Sequence, residues 1–131
     1  MKRILIMGLP GAGKTTLARA LQARLNCAWI NADVIRERYN DWDFSIAGRI
    51  RQSQRMREEA DLVLDNYVIA DFVAPLAEMR KVYNADYTIW MDTITEGRFA
   101  DTNRMFDPPE KYNLKITDFD YNIDDIVKEL L

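Results

Sequence analysis

The residues best suited to chemistry lie in one segment near the start of the sequence, GLPGAGKTT, residues 8–16. It fits the pattern G-x-x-x-x-G-K-[ST], in which a glycine-rich turn points backbone N–H groups at the phosphates of a nucleotide. We expect Lys14 to reach the β- and γ-phosphates and the hydroxyl of Thr15 to bind Mg²⁺. The segment therefore predicts a nucleotide site made of Gly8, Pro10, Gly11, Ala12, Gly13, Lys14, Thr15 and Thr16.

The phosphate-binding segment alone does not separate kinases from GTPases or motor ATPases. The sequence has no NKxD-like segment to read guanine, and its 131 residues leave little room for the additional strands of a motor core. It also contains no histidine, so any proton acceptor must be a carboxylate or the substrate itself. A small kinase is therefore favoured.

Two carboxylates follow predicted strands and are the candidates for proton transfer and metal binding. Asp33, in NADVIR, can accept the proton of an attacking hydroxyl or hold a magnesium water, although it can equally cap the following helix. Arg36, one turn later, can grip an anionic acceptor. Asp71 ends YVIAD and either lies near Thr15 and its Mg²⁺ or is a simple helix-entry acid. We predict catalytic roles for Lys14, Asp33 and Arg36, and metal binding by Thr15 and Asp71.

A long helix is predicted from Ser45 to about Leu64, and it is rich in arginine. Arg49 stands at its start, where it can bind an acceptor phosphate or sulfate. Arg57 interrupts the apolar side of this helix and needs a partner. That side is predicted to consist of Ile46, Ile50, Ser53, Ala60 and Leu64.

Apolar runs and amphipathic runs alternate along the rest of the chain. Strands are predicted at residues 2–7, 28–30, 67–71, 87–92 and, more weakly, 113–117. Helices separate them, one with Pro75 in its first turn. This alternation predicts an α/β protein, with a parallel sheet of four to five strands between two helical layers. We expect a P-loop nucleoside triphosphate hydrolase/kinase fold in one domain over residues 1–131.

Composition narrows the class of protein further. The net charge is -3, so the surface as a whole does not favour non-specific binding to nucleic acid. One cysteine, Cys27, and the lack of a leader-like start predict a reduced cytoplasmic protein without a disulfide. No apolar stretch approaches the roughly 20 residues that a membrane helix needs.

The order of these segments resembles adenylylsulfate (APS) kinase over most of the chain. The matching pieces are GLPGAGKTTLA, NADVIR, FSIAGRI, FVAP, IWMDT and FDPPEKYNLKIT, of which FSIAGRI and FDPPE are the more specific. The resemblance implies that Gly11 to Thr16 bind ATP and that Asp33 serves the acceptor hydroxyl. Arg36 and Arg49 would hold the anionic end of the acceptor. It further implies a nucleotide base beside Pro108 and Pro109, with Phe72 and Phe106 at the substrate.

The activity that this resemblance implies is transfer of the γ-phosphoryl group of ATP to the 3′-hydroxyl of adenylylsulfate, giving PAPS for sulfate assimilation. The sequence departs from the family at Asn31, Gln52 and Ala74. The basic lid of the family is also shortened to ITEGRFADTNRM, residues 94–105, which keeps Arg98 and Arg104.

Two other interpretations remain open. LPGAGKTTLA followed by NADVIR is also similar to polynucleotide kinases, for which the acceptor is the 5′-hydroxyl of a nucleic-acid end or another small hydroxyl. A catalytically weak domain that binds nucleotide and regulates a partner is the third reading. The expected partner is therefore a small nucleotide acceptor or a nucleic-acid end, and the resemblance allows a homodimer.

Overall fold

The computed structural model describes residues 2–131. Its five strands form one sheet in the order β2-β3-β1-β4-β5, and every neighbouring pair is parallel. The strands are β1 (Lys2–Met7), β2 (Ala28–Asn31), β3 (Tyr67–Asp71), β4 (Tyr87–Met91) and β5 (Leu114–Ile116). The predicted α/β class and parallel sheet are confirmed.

Helices cover both faces of the sheet because successive side chains of a strand point to opposite faces. The helices are α1 (Lys14–Leu25), α2 (Ala32–Tyr39), α3 (Ile46–Asp61), α4 (Ala77–Tyr83), α5 (Ala100–Met105) and α6 (Ile123–Leu130). In β1, Ile4 and Ile6 pack in a cluster with residues of α1 and α6, whereas Leu5 and Met7 pack with residues of α3 and α4. Within residues 2–131, no helix combines the length and the apolar character needed to cross a membrane.

The strand register brings the candidate site together at one edge of the sheet. Asp71 at the end of β3 is the register partner of Ile6 on one side and of Asn31 on the other. The carboxyl ends of parallel strands are where such sheets bind ligands. The phosphate-binding segment leaves β1 at this same edge.

Helix α3 differs from its prediction at the carboxyl end and in the side that it buries. It ends at Asp61, and Leu64 beyond it is 98% exposed. Ile46 is also half exposed, and the buried residues of the helix are Gly48, Arg49, Gln52, Ser53, Met56 and Ala60. The predicted apolar side is confirmed for Ser53 and Ala60, with Ile50 partly buried, and was wrong for Ile46 and Leu64.

Two smaller points concern Arg57, whose expected partner is found, and α4, which starts later than predicted. Arg57 bonds to the Asp61 carboxylate and to the Tyr83 carbonyl, which supplies the partner that it needed. Pro75 lies before α4 rather than in its first turn, because the helix begins at Ala77 after Leu76. Helix α5, inside the shortened lid segment, was not predicted.

Candidate active site

The phosphate-binding segment forms a turn that leads directly into α1. Gly13, the residue before the helix, has φ 93°, a left-handed conformation that favours glycine. No side chain caps the first turn of α1, so its backbone N–H groups point toward the loop. Gly8 approaches β4 so closely that a Cβ there would lie 2.5 Å from the Met91 carbonyl oxygen. The turn has the form that a bound phosphate requires.

Lys14 lies buried across this turn, and its Nζ donates a hydrogen bond of 3.0 Å to the Leu9 carbonyl. Burial lowers the pKa of the Lys14 amine, while the carboxylates of Asp71 and Asp33 act in the opposite direction. The ammonium is thus held over the loop, between the two acids that the sequence identified.

Thr15, Asp71 and Asn31 form a connected group beside the loop. The Thr15 hydroxyl and the Asn31 amide nitrogen each donate a hydrogen bond of 3.1 Å to the same oxygen, Oδ2 of Asp71. Burial raises the pKa of the Asp71 carboxyl, and Lys14 together with these two hydrogen bonds opposes that shift. A hydroxyl and a buried carboxylate are hard oxygen donors of the kind that Mg²⁺ binds, so these residues fit the cation.

A cavity of about 680 Å³ opens in front of the loop. Its lining comes from the loop, α2 and the segment after it, the end of β3 and the lid segment. Of the predicted site residues, the cavity is lined by Pro10, Gly11, Gly13, Lys14, Thr15, Thr16, Asp33, Arg49, Asp71 and Phe72. Most of the predicted nucleotide residues and two of the predicted acceptor residues, Arg49 and Phe72, therefore line one space.

Asp33 is exposed and lines this cavity. The cap of α2 is provided by Asn31, whose Oδ1 accepts from the backbone N–H groups of Asp33 and Val34 at 3.0 and 3.3 Å. The alternative role of Asp33 as the helix cap was therefore wrong. Its carboxylate stands one residue inside the helix and faces the cavity.

The side of the cavity away from the phosphate loop includes several aromatic residues. Phe72 is buried in its wall, whereas Trp42, Phe44 and Phe99 are each about half exposed. Sequence reasoning did not select Trp42 or Phe44 as site residues, although FSIAGRI carried the resemblance. Ligand-facing aromatic side chains offer broad apolar surface to a planar or apolar group.

Arg49 lies buried at the same side, with its guanidinium 5.3 Å from the centre of the Phe44 ring. Its Nε donates to the Phe44 carbonyl at 2.8 Å, and its Nη2 donates to the Thr102 hydroxyl at 2.9 Å. This arginine therefore ties α3 to α5. Burial lowers its pKa.

Arg36 does not line the large cavity. It borders a small adjoining cavity of about 80 Å³, together with Arg49 and Gln52. Its Nη1 donates to the carbonyls of Asp41 and Asp43 at 2.9 and 3.2 Å, which ties down the segment between α2 and α3. This arrangement does not provide the predicted contact between Arg36 and the reacting groups. Its Nη1 bonds to backbone carbonyls, and the residue lies outside the lining of the large cavity.

Phe106, Pro108 and Pro109 do not line either cavity. The Phe106 ring lies 5.9 Å from the Arg80 guanidinium, and the next residue bonds to the Pro75 carbonyl. This segment is held against α4 and the residues just before it. Phe119, which follows β5, was not predicted as a site residue but lies nearer to the phosphate loop. A Cβ on Gly13 would be 3.1 Å from its ring.

The lid segment, residues 94–105, packs against the phosphate loop as well as against α3. A Cβ on Gly97 would lie 3.0 Å from the Pro10 carbonyl oxygen. The Asn103 side chain bonds to both the N–H and the carbonyl of Gly97, at 2.8 and 2.9 Å. The segment therefore contacts both the phosphate loop and α3, and it contributes to the lining of the cavity.

Comparison with known proteins finds two kinds of similarity in sequence. Residues 4–72, more than half of the chain, match the family described as AAA domain. Shikimate kinase of Vibrio vulnificus (strain YJ016) is 30% identical over 114 residues, which cover 79% of this chain and 65% of that protein. The chain thus spans somewhat less than two thirds of the length of that relative.

Two solved structures have a fold similar to that of this chain. An APS kinase of Mycobacterium tuberculosis, in complex with AMPPNP and APS, superposes with a TM-score of 0.76 at 22% identity, over 98% of this chain and 94% of that one. Shikimate kinase of Acinetobacter baumannii, in complex with shikimate, gives 0.66 at 18% identity, over 99% and 90%. The chain has the fold shared by these P-loop kinases, which fits the predicted fold.

Proposed function

Since the chain belongs to the AAA domain family and has the fold of P-loop kinases, we propose that it transfers the γ-phosphoryl group of ATP to a hydroxyl of a small acceptor. The observation that carries this proposal is one cavity whose lining includes both the phosphate loop and Asp33. A phosphate donor and a hydroxyl can face each other there.

The donor half of the reaction rests on the loop and on its neighbouring carboxylate. The uncapped N–H groups of α1 and the Lys14 ammonium bind the triphosphate. Thr15 and Asp71 would hold Mg²⁺, which would supply positive charge to the phosphates. These residues would position the phosphates and neutralise their charge, and phosphoryl transfer depends mainly on these two effects.

The acceptor half rests on Asp33. Its carboxylate takes the proton of the acceptor hydroxyl as the hydroxyl oxygen bonds to the γ-phosphorus, while the bond to the bridging oxygen breaks and ADP leaves. Asp33 is exposed on the cavity side and lies close enough to influence the pKa of Lys14. The acid and the ammonium thus flank the space in which transfer takes place.

We propose a nucleotide as the acceptor, and adenylylsulfate in particular. Trp42, Phe44 and Phe99 offer ring faces for a base, and stacking on aromatic side chains favours bases in general. Arg49 adds a buried positive charge at the same side, suited to an anionic group. The product would then be PAPS, an intermediate of sulfate assimilation.

Shikimate is the second candidate acceptor, favoured by the 30% identity to a shikimate kinase. A polyol acid needs several hydrogen-bonding side chains around its hydroxyls, because buried polar groups must be paired. The acceptor wall offers Asp33, Arg49, Arg98 and Asp101 for that purpose, beside its aromatic rings. The rings give the nucleotide the better fit.

One assay tests the activity and the acceptor together. The purified protein receives γ-labelled ATP and Mg²⁺ with adenylylsulfate, with shikimate, with a 5′-hydroxyl oligonucleotide, or with no acceptor. We expect labelled product with adenylylsulfate. Product formed only with shikimate or only with the oligonucleotide would reject adenylylsulfate as the acceptor and support the proposed kinase activity.

The Asp33→Asn variant is the control for a contaminating kinase, since its rate with the acceptor that works best should fall by at least about 100-fold. Label released only as inorganic phosphate would point to hydrolysis. Binding of ATP with neither transfer nor hydrolysis would contradict the proposed kinase and favour a regulatory domain.

A further inference from the structure

One amide side chain connects the two acids of the site. Asn31 ends β2 and is the register partner of Asp71 at the end of β3. Its Oδ1 accepts from the backbone N–H of Asp33 at 3.0 Å, and its Nδ2 donates to Oδ2 of Asp71 at 3.1 Å. A single side chain thus fixes the start of the helix that carries Asp33 and the carboxylate that bonds to Thr15.

Helix capping alone does not explain why residue 31 is an asparagine. Ser, Thr and Asp cap helices about as well as Asn, because the cap needs only an oxygen acceptor. The chain contains such a plain cap: Asn122 accepts from the N–H groups of Asp124 and Asp125 at 2.9 and 3.3 Å at the start of α6. What an amide adds at position 31 is the N–H donor that reaches Asp71.

The donor matters because Asp71 is buried, with 3% of its surface exposed. A buried carboxylate keeps a defined orientation only while its oxygens are hydrogen bonded. Oδ2 receives one bond from Thr15 and one from Asn31, so the two donors fix the oxygen from two sides. Without Asn31, Oδ2 would keep the bond from Thr15 and lose one of the two donors that orient it.

We propose that Asn31 is a positioning residue, which aims the Asp71 carboxylate at Thr15 and thereby prepares the metal-dependent binding of ATP. The proposal rests on the proposed function for its nucleotide and cation. It assigns Asn31 no contact with the acceptor or with the transferring phosphoryl group. Its effect is therefore on the cation requirement, whereas Asp33 governs transfer.

The test compares Asn31→Ser with Asn122→Ser, its matched control at the other asparagine cap. Serine keeps a capping oxygen at both positions but is too short to donate to Asp71 from position 31. The binding of ATP is measured by calorimetry with and without Mg²⁺, which requires no acceptor. Thermal unfolding in metal-free buffer is measured alongside.

We expect Asn31→Ser to reduce the Mg²⁺-dependent gain in ATP affinity by about tenfold, the usual scale for a lost hydrogen bond to a charged group. Metal-free ATP binding should stay within about twofold, and Asn122→Ser should keep the full gain. With an active acceptor, the KM for Mg²⁺ should rise while kcat at saturating Mg²⁺ recovers. A purely structural role would lower stability and kcat and leave the Mg²⁺ dependence alone.

An equal Mg²⁺ gain in the two serine variants would overturn the proposal, as would a wild-type protein whose ATP binding ignores Mg²⁺. If Asn31→Ser does not fold, Asn31→Thr keeps a cap and is judged by the same measurements. Transfer to no acceptor, together with a reduced Mg²⁺ gain in Asn31→Ser, would reject the proposed kinase and keep the role of Asn31.

Discussion

The hydroxyl of Thr15 donates its hydrogen to Asp71 over 3.1 Å, which leaves the oxygen lone pairs directed away from that carboxylate. A residue at the first turn of α1 is thereby oriented by another at the end of β3, 56 positions later in the chain. This geometry presents the hydroxyl oxygen, rather than its hydrogen, to a cation.

Replacing Thr15 by valine should therefore weaken the Mg²⁺-dependent gain in ATP affinity by about 10- to 100-fold, because the side chain keeps its shape and loses its oxygen. Calorimetry with Mg²⁺ and with EDTA measures the gain. Thr15→Ser retains the hydroxyl and should retain most of it. Equal gains in the valine and serine variants would count against the proposed role.

Replacing Asp33 by asparagine should reduce turnover by about 10²- to 10⁴-fold, the range over which a positioned base contributes. The affinity for ATP should change by less than about twofold, since the phosphates are bound elsewhere. Glu37→Gln removes an exposed charge from the same helix and serves as the control. Steady-state rates and ATP binding are compared, and unchanged turnover in Asp33→Asn would exclude the assigned role.

Phe99 should contribute to the binding of a nucleotide acceptor through its half-exposed ring, which lines the cavity beside Arg98. Stacking of one base on an aromatic side chain is worth about 1–3 kcal/mol. We expect Phe99→Ala to raise the KM for adenylylsulfate by about tenfold and to leave the KM for ATP near its starting value. Phe99→Trp should preserve the acceptor KM. A loss of ATP affinity instead would mean that Phe99 contacts ATP rather than the acceptor.

Asp41 should make stability depend on pH in the acid range. Its carboxylate accepts hydrogen bonds from Arg51 at 2.7 and 3.1 Å and from Arg55 at 2.6 Å, and the bonds from Arg51 chiefly hold its pKa below the ordinary value. An acid with a lowered pKa in the folded state stabilises the protein above its unfolded pKa, about 3.9, and loses that contribution as the pH falls toward the folded value.

Asp41→Asn should therefore lower the Tm most at pH 5 and above, and the difference from the wild type should shrink below about pH 4. Thermal unfolding at a series of pH values measures this. Glu58→Gln, an exposed acid on α3, is the control and should show no such convergence. A difference in Tm that stays constant down to pH 2 would mean that the effect comes from packing rather than from charge.

The parts of the fold that could be predicted are those with local signals. The loop before α1 was readable because its glycines and lysine encode its conformation, and the strands were readable as buried apolar runs. A position of Asp71 near Thr15 was one of two alternatives that the sequence left open, since strand ends in a parallel sheet share one edge, and the structure shows that contact.

The contacts that were not predicted are made with backbone carbonyls or with residues distant in the chain. Arg36 bonds to the carbonyls of Asp41 and Asp43, and carbonyls carry no residue-specific signal in a sequence. Arg49 meets Thr102 across 53 positions, through a helix of six residues that is too short for a recognisable apolar period. The resemblance that suggested Pro108 and Pro109 gave no information on the path of the chain around them.

The short segment of residues 94–105 touches the phosphate loop at Pro10 and α3 at Arg49. A short segment held at two points has less conformational entropy to lose when a ligand binds than a long mobile lid has. Ligands can keep more of their contact energy as affinity. In return, departure of the product depends on how often these two contacts open.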